Sequence, residues 1–211
     1  MIDAIVKKTC FWWNLTRIMQ GGTEEMNLKG LEVPHGMLGR VLGQQEVHLQ
    51  RLDLTDCPGI TGRSIHAMAP CMPRLSCLAL ARCFSSAHEA DIAADALTSL
   101  PYLAFLDLSQ TRVSDAAVSK LLVNLEGLRG LKIASCPSVS NEAFGAKVLA
   151  SSTLTALDVS GNRNVGPDAL RWLDQSEDAL GDQFGPAETA YSAFQCLNIT
   201  GLFKENRGAV E

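Results

Sequence analysis

The apolar residues of this chain recur in one fixed spacing. Residues 103–111 read L-x-x-L-x-L-x-x-T, where x is any residue, and this frame returns with Cys or Asn at its last position. The five clean copies start at residues 49, 75, 103, 128 and 154, so the steps between them are 26, 28, 25 and 26 residues. Weaker copies begin at Leu28 and Phe194, which extends the pattern over most of the chain.

Each copy of the frame predicts one short strand followed by a return segment. Side chains alternate across a strand, so the second and third apolar positions face a core and the residue between them faces the other side. A period of about 20–29 residues with this spacing is the signature of leucine-rich repeats. The predicted fold is an α/β leucine-rich-repeat solenoid of about seven repeats, curved and right-handed, with a parallel concave sheet and convex helices.

The return segments predict helices. Apolar residues recur at helical spacing around Ile65, Val118, Phe144 and Leu170, and the alanine-rich stretch 88–100 also favours a helix. The residues that can cap or start these helices are Thr61, Ser114, Ser140 and Pro167.

Three segments divide the chain. Residues 1–27 predict an N-terminal capping helix and linker, residues 28–203 the solenoid, and residues 204–211 a C-terminal tail. The helix covers the apolar end of the stack in this interpretation. Its alternatives are a partner-binding helix, with Trp12 and Trp13 as contact residues, or a mitochondrial presequence.

An acidic insert lengthens the last repeat. The step from Leu154 to Phe194 is 40 residues, and no Lys or Arg lies between Arg171 and Lys204. The insert spans residues 174–191 and is interpreted either as a solvated loop or as an ordered arm that docks on a basic surface. The secondary interaction candidates within it are Asp174, Glu177, Asp178 and Asp182.

The repeat frame also predicts which side chains line the concave face. The residues between the second and third apolar positions are Glu32, Asp53, Ala79, Asp107, Lys132, Asp158 and Asn198. Four of these seven are acidic, and a neighbouring column adds Arg51 and the large apolar Phe105. The predicted partner-binding residues are therefore Glu32, Arg51, Asp53, Phe105, Asp107, Lys132, Asp158 and Asn198. They suit a helix or peptide with basic residues, unless the Asp side chains only bind their own loops.

Composition limits the compartment and the partners. The 211 residues carry a formal net charge of −5, which disfavours direct nucleic-acid binding outside a larger complex. No apolar run approaches the roughly 20 residues of a membrane helix, and no secretory signal is recognisable. The seven cysteines include Cys57, Cys83 and Cys136 at one repeat position, where a buried thiol can bond to the loop backbone. Abundant unpaired thiol indicates a reducing intracellular compartment, the cytoplasm first and the mitochondrion as the alternative.

No motif in the sequence points to catalysis. The four histidines have no Ser or Cys partner at a motif spacing, and no phosphate-binding loop or nucleophile elbow occurs. The cysteines form no C-x-x-C pair, and the acidic column offers one oxygen ligand per strand rather than a compact calcium loop. We therefore expect no enzymatic activity, no metal, no cofactor and no small-molecule substrate.

The segments LDLTDCPGIT, LKIASCPSVS and LDVSGNRNVG, followed by SDAAVSKLL and NEAFGAKVL, resemble the cysteine-containing leucine-rich repeats of F-box substrate receptors and of related organelle assembly proteins. The residues before the first repeat contain no recognisable F-box. The first functional hypothesis is a non-enzymatic scaffold or adaptor in a larger assembly. The alternatives are a substrate-recognition subunit of a cullin-type ubiquitin ligase, which the resemblance implies, and a structural subunit of a ribonucleoprotein or mitochondrial complex.

Overall fold

The described residues contain seven parallel strands in one sheet, and the strands follow one another in chain order. The computed structural model describes residues 24–33, 36–43, 48–144, 154–166 and 196–198. Each strand pairs in register with the next, so every repeat contributes one strand. The strands are β1 (Glu25–Asn27), β2 (Arg51–Asp53), β3 (Cys77–Ala79), β4 (Phe105–Asp107), β5 (Gly130–Lys132), β6 (Ala156–Asp158) and β7 (Cys196–Asn198).

Helices occupy the return segments between the strands. They are α1 (Met37–Gly43), α2 (Gly62–Met68), α3 (Ala87–Leu97) and α4 (Asp115–Asn124), with 3₁₀ turns at Ala69–Cys71 and Asn141–Phe144. The helices predicted around Ile65, within 88–100 and around Val118 are confirmed, and the segment at Phe144 begins as a 3₁₀ turn. This alternation of parallel strands and return helices confirms the predicted α/β leucine-rich-repeat solenoid.

Hydroxyl side chains begin three of these helices. The Thr61 hydroxyl accepts a hydrogen bond from the Ser64 N–H at 3.2 Å, and the Ser114 hydroxyl accepts one from the Ala117 N–H at 3.2 Å. Ser86 does the same for α3, accepting from the N–H of the third helical residue. A capped first turn satisfies backbone donors that the helix itself leaves unpaired, so each helix starts at a defined residue.

One continuous hydrophobic core lies between the sheet and the return segments. The second and third apolar positions of the clean repeats are almost completely buried; they are Leu52, Leu54, Leu78, Leu80, Leu106, Leu108, Leu131, Ile133, Leu157 and Val159. A single repeat cannot cover both ends of its own core layer, so each repeat is stabilised by its neighbours.

The predicted position of the first repeat was wrong. Strand β1 pairs Glu25 with Arg51 and Asn27 with Asp53, so Asn27 occupies the concave position that was assigned to Glu32. Met26 and Leu28 are the buried residues at the second and third apolar positions of this repeat. The boundary placed after residue 27 was also too late, because β1 already belongs to the sheet. Glu32 comes after Leu28 in the chain and lies in the loop that follows the strand.

In each loop that follows strands β1 to β6, a residue adopts the left-handed backbone conformation. The φ angles of these residues lie between 55° and 71°; the residues are Gly30, Asp56, Arg82, Gln110, Ser135 and Gly161. The N–H groups of the first five extend the ladder between repeats, as in the bonds from Asp56 to the Ala81 carbonyl at 2.8 Å and from Ser135 to the Ser160 carbonyl at 2.8 Å. The loops are therefore held in register by the backbone itself.

Gly161→Ala is expected to destabilise the fold by about 1–2 kcal/mol, because a side chain in the left-handed region is strained. Its Cβ would also lie 2.6 Å from the Ser135 hydroxyl oxygen, which must then move. Gly127→Ala is the matched control, since the nearest atom to its added Cβ would be 3.7 Å away. Urea unfolding of both variants measures the difference, and equal midpoints would contradict this account of the loop.

Several predicted features lie outside the described residues. These are the N-terminal helix with Trp12 and Trp13, Pro167, the helix around Leu170, and the insert with Asp174, Glu177, Asp178 and Asp182. Among the residues that the structure does describe, no helix has the length and apolar character needed to cross a membrane.

Candidate functional site

Two columns of residues, aligned by the strand register, define the concave face of the sheet. The outer column holds the first residue of each strand: Glu25, Arg51, Cys77, Phe105, Gly130, Ala156 and Cys196. The central column holds the third: Asn27, Asp53, Ala79, Asp107, Lys132, Asp158 and Asn198. The strand register thus brings together every predicted concave residue except Glu32.

Each aspartate of the central column is held by its own loop. Asp53 Oδ1 accepts a hydrogen bond from the Thr55 N–H at 2.9 Å, and Asp107 Oδ1 accepts one from Ser109 at 2.9 Å. Asp158 repeats the contact with the Ser160 N–H at 3.0 Å. These bonds use only Oδ1. Within the described part of the chain, Oδ2 of each aspartate has no protein donor, so the same side chain both orders its loop and presents a carboxylate oxygen.

The Phe105 ring forms one wall of a shallow groove across strands β3 to β6. The groove has a volume of about 530 Å³. A Cβ added at Gly130 would lie 2.5 Å from the ring atom Cδ1, so the ring leans over Gly130 and fills the space of a missing side chain. Ala156 follows in the same column, and its small side chain keeps the groove open at β6. Half of Phe105 remains exposed, which makes it a preformed apolar contact beside the carboxylates.

Charges on the concave face differ in how they are compensated. Arg51 pairs with Glu25 on the neighbouring strand at 3.1 Å, in a solvent-exposed ion pair. Lys132 lies between Asp107 and Asp158 in the central column and is exposed. In the described residues its ammonium group forms no ion pair with either carboxylate. The column therefore presents acidic, basic and acidic groups on three successive strands.

The repeated cysteines have the structural role predicted for them. The thiols of Cys57, Cys83 and Cys136 donate to the carbonyl oxygens of Leu28, Leu54 and Leu108 at 3.1, 2.9 and 3.3 Å. Burial raises the pKa of all three thiols, that of Cys83 to about 12. They stay protonated at neutral pH and act as donors between repeats rather than as nucleophiles.

A second set of contacts, on the side of the return segments, was not predicted. Carboxylates in the N-terminal halves of helices accept hydrogen bonds from the neighbouring repeat, as Asp91 does from the Ser114 N–H at 3.1 Å and Asp115 from the Ser140 N–H at 2.7 Å. The Glu89 carboxylate accepts from the Gly62 N–H in the same way. The only signal available beforehand was an acidic residue near a helix start. These contacts fix the return segments to one another.

The described residues form no metal site. They contain no group of three or more His, Cys, Asp or Glu side chains that could hold an ion. What the concave face offers instead is a surface for contact: oriented carboxylates, one free ammonium and an exposed aromatic ring.

Comparison with known proteins gives the same class of fold. A family model described as "Leucine Rich repeat" matches residues 47–69 and 150–171. No curated protein matches the chain. The matched segments and the one-strand repeat geometry therefore agree on a leucine-rich-repeat fold.

Two solved structures illustrate the similarity. An internalin (inlF) from Listeria monocytogenes is 16% identical, with a TM-score of 0.53 over 89% of this chain and 43% of the internalin chain. A structure of the Rad7 and Elc1 complex in yeast is 21% identical, with a TM-score of 0.50 over 66% of this chain and 36% of the other. The chain thus spans about two fifths of the length of these structures, and the likeness is one of fold.

Proposed function

We propose that this protein is a non-enzymatic protein-binding scaffold or adaptor, a subunit of a larger assembly that holds a basic partner on its concave face. Leucine-rich-repeat domains typically serve as protein-interaction scaffolds. The observation that carries the proposal for this chain is the central column. Its aspartates are oriented by their own loops and still have Oδ2 available, and Asp107 lies on the same strand as the half-exposed Phe105.

The Phe105 ring and the aspartate carboxylates contribute to binding in different ways. Covering the exposed part of a phenylalanine contributes on the order of 1–2 kcal/mol through the hydrophobic effect. The partly buried carboxylates contribute little affinity each, but they accelerate association and discriminate against acidic partners. The loop hydrogen bonds hold the carboxylates before the partner arrives, which reduces the entropy lost on binding.

Cross-linking mass spectrometry on the protein purified gently from its own cells tests this proposal. A stoichiometric partner linked to lysines near the central column, in particular Lys132, is the expected result. Links confined to the return segments would place the interface elsewhere. Purification of the chain without any stoichiometric partner would contradict a fixed assembly.

A ubiquitin-ligase receptor is the second candidate function. It is favoured by the column of Cys57, Cys83 and Cys136, which resembles the cysteine-containing repeats of such receptors. Rad7, whose fold is similar, was solved in complex with Elc1. A cullin adaptor recovered in the same purification would support this function over that of a permanent scaffold.

A further inference from the structure

We propose that the partner segment on the concave face is an α-helix that lies across the strands and carries a basic, acidic, basic sequence of side chains on one face. This inference rests on the function proposed above and specifies its ligand. The partner's acidic residue would face Lys132, and its two basic residues would face Asp107 and Asp158.

The spacing of the strands selects a helix over an extended peptide. Neighbouring strands lie about 4.8 Å apart, so two steps across the sheet cover about 9.6 Å. A helix rises about 1.5 Å per residue, so residues i and i+7 of one face are about 10.5 Å apart, with i+3 or i+4 between them. One side chain of the helix therefore stands over each strand.

The side chains of an extended peptide do not match the spacing of the strands. Its side chains on one face recur about every 6.7 Å, so the second already lies about 2 Å beyond the neighbouring strand and the third about 4 Å beyond the next. It would place its charges between the central-column residues rather than over them. A helix, in contrast, drifts by only about 2 Å over 14 residues, which is within the reach of Lys and Arg side chains.

The order of charges along the central column is specific. From β2 to β6 it reads Asp53, Ala79, Asp107, Lys132 and Asp158. The complementary helix has basic residues at i, i+7 and i+14 and an acidic residue at i+10 or i+11. A small residue at i+3 or i+4 faces Ala79. Because this pattern is not symmetric, it also predicts the direction in which the helix lies.

The outer column supplies the apolar side of the same contact. The Phe105 ring leans over Gly130, and the small side chain of Ala156 keeps the groove open on the following strand. The helix residue that neighbours the acidic position can therefore pack an aliphatic side chain against the ring. At β5 and β6 no bulky side chain of the outer column obstructs the partner helix, since these strands begin with Gly130 and Ala156.

The test uses a synthetic, fluorescein-labelled alanine-based peptide that carries this charge pattern. Its matched control has the same composition, with the acidic residue exchanged with the basic residue opposite Asp107. We expect the patterned peptide to bind the full chain at least tenfold more tightly in a fluorescence anisotropy titration. Lys132→Glu should remove that preference, and a peptide with Lys in place of its acidic residue should restore binding to this variant.

A third peptide separates this inference from the proposed function. It keeps all charges but contains a central proline, which breaks a helix. Loss of binding with proline is expected. Equal binding with proline, still abolished by Asp107→Lys, would overturn the helix and leave the concave interface standing. Binding that is equal for all peptides and indifferent to Asp107→Lys, or no binding of any of them, would overturn the helix inference, whereas the concave interface is decided by the cross-links to the native partner.

Discussion

Leu106→Asp is expected to unfold the protein. Leu106 is the central residue of β4 and is only 2% exposed. Truncating a buried leucine costs about 2–5 kcal/mol, and a carboxylate without a partner in the same place adds a further desolvation cost. A domain is stable by about 5–15 kcal/mol in total, so the sum removes most or all of this margin. Because each repeat supports its neighbours, the loss extends beyond the fourth strand.

The neighbouring residue provides the control for this substitution. Phe105→Asp introduces the same carboxylate one position earlier, where the side chain is 50% exposed on the concave face. It is expected to cost about 1–2 kcal/mol for the covered half of the ring, which leaves the protein folded. Far-UV circular dichroism and urea unfolding of the two variants measure the contrast. A native spectrum for Leu106→Asp would mean that the assignment of core and concave positions is inverted.

The strand positions of the clean repeats were predictable because the hydrophobic effect determines them directly. At Leu52 and Leu106 the apolar residue of the frame is also the buried residue of the strand. The first repeat was not predictable in this way. Leu31 completes an apparent frame with Leu28, but it is 37% exposed, whereas the less conspicuous Met26 is buried. Only the pairing with β2 distinguishes the two alternatives.

The sequence predicted which residues lie on the concave face but not how their side chains pack against one another. Strand alternation is sufficient to place Asp107 and Lys132 on the concave face. The position of the Phe105 ring over Gly130 depends on the packing of two strands and has no signature in either segment. The contacts between the helix carboxylates and the neighbouring repeats join residues 23 or more positions apart, which a periodic pattern does not encode.

The two roles of the aspartates can be separated by the choice of substitution. Asn27 occupies the central column naturally, and its Oδ1 accepts a hydrogen bond from the Lys29 N–H at 3.0 Å, as the aspartates do in their loops. Asparagine therefore keeps the loop and removes only the charge. Asp107→Asn should leave stability nearly unchanged, and any loss of partner binding in this variant reports the charge alone.

Reversal of charge at Asp53 and Asp107 is expected to abolish binding of the partner protein that cross-linking identifies, while the solenoid stays folded. Each exchange to lysine removes an attraction and adds a repulsion, which we estimate at about 1.4 kcal/mol or more per site, or at least tenfold in affinity. The loss of the two loop hydrogen bonds costs on the order of 1 kcal/mol each in stability, which leaves the fold intact. Binding is measured by titration with the purified partner, beside a urea unfolding curve.

Glu142→Lys distinguishes a local effect from a change in net charge. It lies in the 3₁₀ turn Asn141–Phe144 of a return segment and changes the formal charge as much as the single exchange Asp107→Lys does. If the concave face is the interface, Asp107→Lys weakens binding at least tenfold and Glu142→Lys leaves it almost unchanged. Equal losses would show that the partner responds to overall charge. Retained binding in both would move the interface away from the central column, since a basic partner over Asp107 cannot be indifferent to a lysine there.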